Sequence, residues 1–288
     1  MTGRRDPAPW LLAAATAALY GPLVPELIRD WRSSGDFSHG PIVPLIAGLL
    51  LWVRKDAWRA APSRPFLPGL VLLGLALAQY LLGVAAAEFY LQRASVVPFL
   101  LGWALTVWGP ARARVCVFPV AFLLFMIPVP TLLWTAWSLP LQLLATRAAG
   151  VVLDVCGVSA VRTGNVLHLP GCTLEVAHAC SGLRSLMALL AMAAILADGS
   201  LLGDVGPRRP AARVLLVLAA VPVAIATNAL RVSATAVAVA RTGPGAAAGW
   251  LHELTGLIVF AAALGILWGG RRFLGWIETS RPGFSRPA

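Results

Sequence analysis

The sequence predicts an all-α polytopic membrane domain of about eight transmembrane helices, and three observations carry that reading. Of its 288 residues, 59% are hydrophobic and only 12% charged, and the mean hydropathy of +0.80 lies outside the range of a soluble domain. Apolar runs approaching the roughly 20 residues that cross a bilayer recur along the whole chain. The basic residues gather in alternate segments between those runs. The net charge of +11 is therefore read as the positive-inside bias of a multi-span protein, and not as a nucleic-acid footprint. Residues 1–288 are expected to form a single membrane-embedded domain, with no internal repeat and no additional soluble C-terminal domain.

The runs fall at 9–27, 40–54, 67–87, 94–109, 114–134, 180–198, 212–240 and 250–269. The first follows Arg4 and Arg5 in the manner of a signal peptide. However, Pro22, Pro25 and Glu26 come next and no cleavage site is evident, so a retained span is expected. Arg54, Lys55, Arg59 and Arg64 separate the second and third runs, and Arg112 and Arg114 the fourth and fifth. Arg208, Arg209 and Arg213 separate the sixth and seventh; Arg271, Arg272, Arg281 and Arg286 follow the eighth. With eight crossings all of these lie on one side, which puts both termini in the cytoplasm. Arg29 and Arg32 in the first outer loop run against the rule, which counts basic residues and not net charge.

Between the fifth and sixth runs, Leu139–Leu153 is apolar on most faces but interrupted by Gln142 and Arg147, with Asp154 beyond. This predicts a re-entrant or interfacial helix. In Ser159–Ala177, β-branched and leucine residues alternate with Gly164, Asn165, Pro170 and Gly171. That is strand-and-turn chemistry, a small extracytoplasmic hairpin before the sixth span.

The hairpin leads into Glu175-Val-Ala-His-Ala-Cys-Ser-Gly-Leu183. Cys180 directly precedes a long apolar run, and the dipole of a helix starting there favours the thiolate. Arg184, four residues on, would share a helix face with it. Asn228 and Arg231 are three apart and share a face late in the seventh run, with Arg231 roughly 28 Å along from Ala212. His252 and Glu253 open the eighth. Span assignment alone brings Cys180, Arg231 and His252 to one interface. Each has a plainer alternative: an inert buried cysteine, a snorkelling arginine or one paired with Glu253, an interfacial histidine. Asn228 could equally make an interhelical hydrogen bond. A charge inside an apolar span is nevertheless a functional-site hypothesis by default.

In the catalytic reading His252 is general base toward the Cys180 thiol and then acid toward a leaving amine. Arg231 stabilises the oxyanion, helped or oriented by Asn228. His178 could replace His252 as the base. His39, in Asp36-Phe-Ser-His-Gly40, could line a substrate entrance, and His168 has a weaker claim. No metal-ligand spacing links His39, His178, His252 and Glu253, so neither a metal nor another cofactor is implied. Cys116 reads as core. Cys156 and Cys172 both lie in the outer segment and could pair in an oxidising compartment.

These motifs resemble the exosortase/archaeosortase family of integral-membrane cysteine transpeptidases. The matching pieces are Phe37-Ser-His-Gly40 with Val43-Pro44, the Ala-Cys-Ser-Gly element ending at Gly182, Asn228-Ala-Leu-Arg231, and His252 with Thr255-Gly256. Together they cover roughly residues 30–270. The resemblance implies Cys180, Arg231 and His252 as catalytic residues, with Asn228, Arg184, Glu175, His178 and His39 in support and a catalytic core at about 135–270. It implies exported protein substrates with a C-terminal tripartite sorting signal: a Pro-Glu-Pro-like motif (PEP-CTERM), a membrane helix and a basic tail. Cleavage through a thioester at the outer face of the cytoplasmic (inner) membrane would pass the protein to an unidentified surface acceptor. In bacteria the family is linked to exopolysaccharide production. Two other readings remain: a thiol protease that only hydrolyses, and a non-enzymatic transporter or assembly subunit of exopolysaccharide export.

Overall fold

The computed structural model describes residues 7–169, 172–176, 181–202, 206–207, 209–243, 245 and 250–280, with the backbone alone at 8, 9, 12 and 250–253. The chain divides into two compact units, Met1–Pro130 and Thr131–Ala288.

In the first unit, α1 (Ala8–Tyr20) ends at a 3-10 turn, Gly21–Leu23, and α2 (Val24–Ser33) follows. The first apolar run is thus two helices and not one span. Pro22 and Pro25 supply no N–H to the preceding turn, which breaks the continuous ladder there. A second 3-10 turn, Gly35–Phe37, leads into α3 (Ile42–Val53). After α4 (Lys55–Ala60) come α5 (Gly69–Ala85), α6 (Phe89–Ala94), α7 (Val96–Trp108) and α8 (Pro110–Phe122). A 3-10 turn, Leu123–Met126, closes the unit well short of residue 134, where the fifth run was expected to end; Pro128 and Pro130 stop it.

The core of this unit joins Tyr20 and Leu23 to Ala76, Val96, Phe99 and Val120. The Tyr20 hydroxyl meets Ser95 Oγ at 2.9 Å, so the buried phenol is satisfied. The two ends of α7 differ in chemistry. Near its start, the buried Arg93 donates to Asp30 at 2.7 Å and pairs with Glu26 at 3.5 Å. At its other end, Trp108 meets Trp58 edge-on at 5.2 Å, and the Arg112 guanidinium lies 4.4 Å from the Trp58 ring. Arg112 Nε donates to the Ala61 carbonyl and Arg54 to that of Val115. Arginines layered with tryptophans are the chemistry of a membrane–water interface.

The second unit opens with α9 (Thr131–Val155), a continuous helix of 25 residues. The segment expected to lie at the surface is instead long and apolar enough to cross a bilayer. Gln142 does not interrupt it because it is satisfied along a buried face with Ser138 and Thr146, and Arg147 and Asp154 are exposed. Gln142 Nε2 donates to Ser138 Oγ at 3.0 Å, and Thr146 Oγ1 to the Gln142 carbonyl at 2.7 Å. The number of membrane-length elements before the sheet is therefore not the five given by the apolar runs.

The expected hairpin is present and gains a strand. β1 (Val161–Thr163), β2 (Val166–Leu169) and β3 (Cys172–Glu175) form an antiparallel sheet in the order β1-β2-β3. Val161 pairs with His168, and Leu167 with Leu174. Cys156 and Cys172 are both free thiols, so the disulfide the sequence allowed is not formed.

Helices α10 (Leu183–Asp198), α11 (Pro210–Thr242) and α12 (Trp250–Ser280) complete the unit. α11 is its axis. Along its first half Leu216, Ala220 and Ala224 pack on Leu189 and Ala193 of α10 and Ala263 and Leu267 of α12. Along its second half Val232, Ala236 and Val239 pack on Ala145, Ala149 and Leu153 of α9 and on Leu167, Leu169 and Val176 beside the sheet. α9 thus lies alongside α11 with both C-terminal ends toward the sheet.

Among the described residues, four stretches are long and apolar enough to cross a membrane: Gly35–Val53, Thr131–Val155, Pro210–Thr242 and Leu254–Ser280. Gly69–Ala85 is apolar but shorter. Other predicted runs hold shorter helices, 13 residues each in α7 and α8 and 16 in α10. The protein is a helical membrane protein.

Candidate functional site

Asn228 and Arg231 sit at the junction of the two cores that α11 joins. Asn228 is buried, and the chain before α10 is pressed against it. Gly182 caps α10 with a left-handed backbone, φ +82°. A Cβ there would lie 2.6 Å from Asn228 Cγ, so both the backbone conformation and the contact require glycine. The Gly182 carbonyl accepts from Ser185 Oγ at 2.8 Å, and Ser181 Oγ accepts from the Leu183 N–H at 3.4 Å. Ser181 and Gly182 are the two residues that follow Cys180 in the chain. Cys180 and His178 themselves lie outside the described residues.

Because α10 begins at Leu183, the four-residue step from 180 to 184 is not a helical turn of α10. The shared-face argument for Arg184 therefore does not apply to this helix. Arg184 is exposed.

α12 meets the same part of α11. A Cβ on Gly256 would sit 3.5 Å from Arg231 Cζ and 3.6 Å from its Nε, so the guanidinium lies flat against this glycine. Position 252 is four residues earlier on α12 and shares the helix face with 256. The His252 side chain lies outside the described residues; its backbone is in α12.

Two clefts flank Asn228. One, of about 250 Å³ including its open mouth, lies between Ser181, Gly182, Ala224 and Asn228 on one side and Leu141 and Ala145 of α9 on the other. The second, of about 310 Å³ including its mouth, lies between the end of β3 (Leu174, Glu175 and the adjoining Val176) and Asn228, Arg231 and Thr235. Glu175 is exposed at the lip of that cleft. The structure therefore brings Asn228, Arg231, Glu175, the turn after Cys180 and the helix carrying His252 into one region. His168 is exposed on β2.

His39 belongs to the first unit and has a local role there. Its partly buried imidazole lies beside the Phe125 backbone. Next to it, Trp31 Nε1 donates to the Met126 carbonyl at 2.9 Å, and its indole covers Gly40 so closely that a Cβ would lie 2.1 Å from Nε1. The Phe-Ser-His-Gly element thus fastens the 3-10 turn Leu123–Met126.

The opposite end of the second unit is basic and ordered. Arg271 is 1% exposed and donates from Nε to the Leu196 carbonyl at 2.9 Å. The Glu278 carboxylate accepts from the Arg209 N–H at 3.1 Å. Arg231 follows Arg213 by about 27 Å of helix, close to one hydrocarbon thickness of roughly 30 Å. Past Arg231, α11 continues to Thr242 against the sheet. Sequence reasoning reached Cys180, Arg231, Asn228 and His252 by residue type and placement. It gave no structural role to Gly182 or Gly256, whose only signal was a small residue beside a motif.

No curated protein sequence and no solved structure matches the chain. A family model described as transmembrane exosortase matches residues 31–269, most of the chain and the whole stretch from His39 to His252 that holds the candidate site residues. The chain belongs to the transmembrane exosortase family, a family of membrane sorting enzymes.

Proposed function

We propose that this protein is a cysteine-dependent transpeptidase that cleaves the C-terminal sorting signal of exported proteins at the outer face of the cytoplasmic membrane. The observation that carries the reading is the contact of Gly182 with Asn228. It ties the Cys-Ser-Gly element to the Asn-Ala-Leu-Arg element across 46 residues of sequence, as a site built from both would need. The packing of Gly256 on the Arg231 guanidinium adds the helix of His252 in the same way.

In this reading the Cys180 thiolate adds to the scissile carbonyl. Arg231, held within the long helix α11, stabilises the oxyanion; such a preorganised donor is worth about 10²–10³ in rate. The tetrahedral intermediate collapses to a thioester, and the C–N bond breaks as His252 protonates the leaving amine. A surface acceptor then attacks the thioester and restores the thiol. An outward-facing site is supported by the distance of Arg231 from the basic end of α11 and α12, where arginines collect as the positive-inside rule expects of a cytoplasmic face. Anchoring by the substrate's own membrane helix would confine the scissile bond to the same interface and raise its effective concentration.

The test is a processing assay in cells with a tagged exported protein bearing a motif, an apolar helix and a basic tail. Wild type should shorten it. Cys180→Ala and Cys180→Ser should not, at equal membrane levels. Normal processing by Cys180→Ala would remove the nucleophile and with it the proposal.

A further inference from the structure

The sheet next to the site has an edge that no described strand occupies. β3 pairs only with β2, and the bonding pattern fixes which of its backbone groups face away. The Val176 N–H donates to the Asn165 carbonyl at 2.9 Å. Bonded and non-bonded pairs alternate in an antiparallel ladder. Asn165–Val176 being bonded, Leu167–Leu174 and Leu169–Cys172 are bonded as well, while His168–Thr173 and Val166–Glu175 are not. The N–H and C=O groups of Thr173 and Glu175 therefore point outward from β3. Neither backbone N–H is hydrogen-bonded to another described residue, and both residues are exposed.

This edge differs in two ways from an ordinary sheet border. The end of β3 lines the cleft that holds Asn228 and Arg231. In the sequence, Cys180 follows Glu175 by five positions. An exposed row of unused donors and acceptors normally invites aggregation and is blunted by charge, proline or cover. Here it leads to the site. Its repeat, two outward residues separated by one, matches the spacing at which an extended peptide presents its own backbone groups.

We propose that the outer edge of β3 receives the stretch of substrate beside the scissile bond as a fourth, added strand, held by the backbone of Thr173 and Glu175. The inference rests on the sorting-enzyme reading of this site and specifies how the peptide is held there. Backbone pairing aligns the peptide with the cleft while remaining tolerant of side chains. Specificity then comes from alternate side chains directed at Arg231 and Thr235. A proline in the peptide is accepted where its missing N–H would face away from β3 and rejected where it would face the edge.

The test has an enzyme arm and a substrate arm, both read as the fraction of tagged substrate shortened in cells. Thr173→Pro removes an outward N–H without touching the β2–β3 ladder and should lower processing roughly tenfold, whereas Thr173→Ala, which keeps that N–H, should lower it much less. Single prolines placed at successive substrate positions beside the cleavage point should give an alternating pattern. Processing should fall roughly fivefold or more at every second position and change little between. This arm uses wild-type enzyme, so it stands even if Thr173→Pro fails to accumulate. A flat or non-alternating scan, with the parent substrate processed normally, would overturn the added strand and leave the sorting reading intact. No shortening of the parent substrate by wild type would overturn both.

Discussion

The two halves of α11 are built from similar residues and do different work. The first half, through Leu216, Ala220 and Ala224, is sealed between α10 and α12 by small apolar side chains that let the helices approach closely. The second half, through Val232, Ala236 and Val239, packs against α9 and the sheet. Between them the helix changes neighbours, and there it carries a buried asparagine and an arginine. Polar groups at membrane depth are costly. They are borne where a gap between two cores opens clefts on either side of Asn228. The first half is scaffold; the junction is the candidate site. Holding reactive groups on one rigid rod with a packed core at each side gives the positional precision that catalysis needs.

Substitutions can break or sharpen that contrast. The largest effect is expected at the junction itself. Arg231→Ala should lower processing about 10²–10³-fold at unchanged membrane level, and Arg231→Lys should recover little, because an ammonium lacks the planar fork that lies against Gly256. Quantitative blotting of shortened against full-length substrate measures both. Gly182→Ala should also cost activity, with a stability loss of about 1–3 kcal/mol from the left-handed backbone and more from the contact with Asn228; thermal denaturation in detergent reads the second part. Ala220→Leu in the scaffold half should cost about 1–3 kcal/mol through overpacking, while leaving the processing rate of the folded fraction unchanged. A drop in that rate would mean the two halves are not separable. Gly256→Ala is expected to be the mildest, within about 0.5 kcal/mol, since its Cβ would sit at ordinary contact distance, 3.5 Å, from Arg231 Cζ. Gly256→Leu, which pushes the guanidinium aside, should resemble Arg231→Ala.

Periodicity and composition made the apolar helices legible, and α3, α5, α7 and α11 begin and end within three residues of the runs that predict them. Besides the fifth run, stopped early by Pro128 and Pro130, two elements were misread for identifiable reasons. The first run is cut because Pro22 and Pro25 act on hydrogen bonds that a hydropathy pattern does not register. The helix at Thr131–Val155 reads as re-entrant or interfacial because Gln142, Arg147 and Asp154 interrupt it, yet Gln142 is satisfied by Ser138 on a buried face and the two charged residues are exposed. The strand-and-turn character of Ser159–Ala177 was legible, with Gly164 and Asn165 forming the first two-residue turn; that it makes three strands and not a two-stranded hairpin was not. At the site, residue types and spacing pointed to Asn228 and Arg231. Their contacts with Gly182 and Gly256 join residues 46 and 25 positions apart, and no local pattern encodes such a pairing.

The most direct test of the account is to catch the thioester. The membrane enzyme would be purified after exposure to substrate with no acceptor added, and its intact mass and peptide map recorded before and after neutral hydroxylamine. The account predicts a substrate-sized adduct on the peptide containing Cys180, absent from Cys180→Ala and removed by hydroxylamine. An adduct that persists in Cys180→Ala, or processing that proceeds in that variant with no adduct at all, would contradict it.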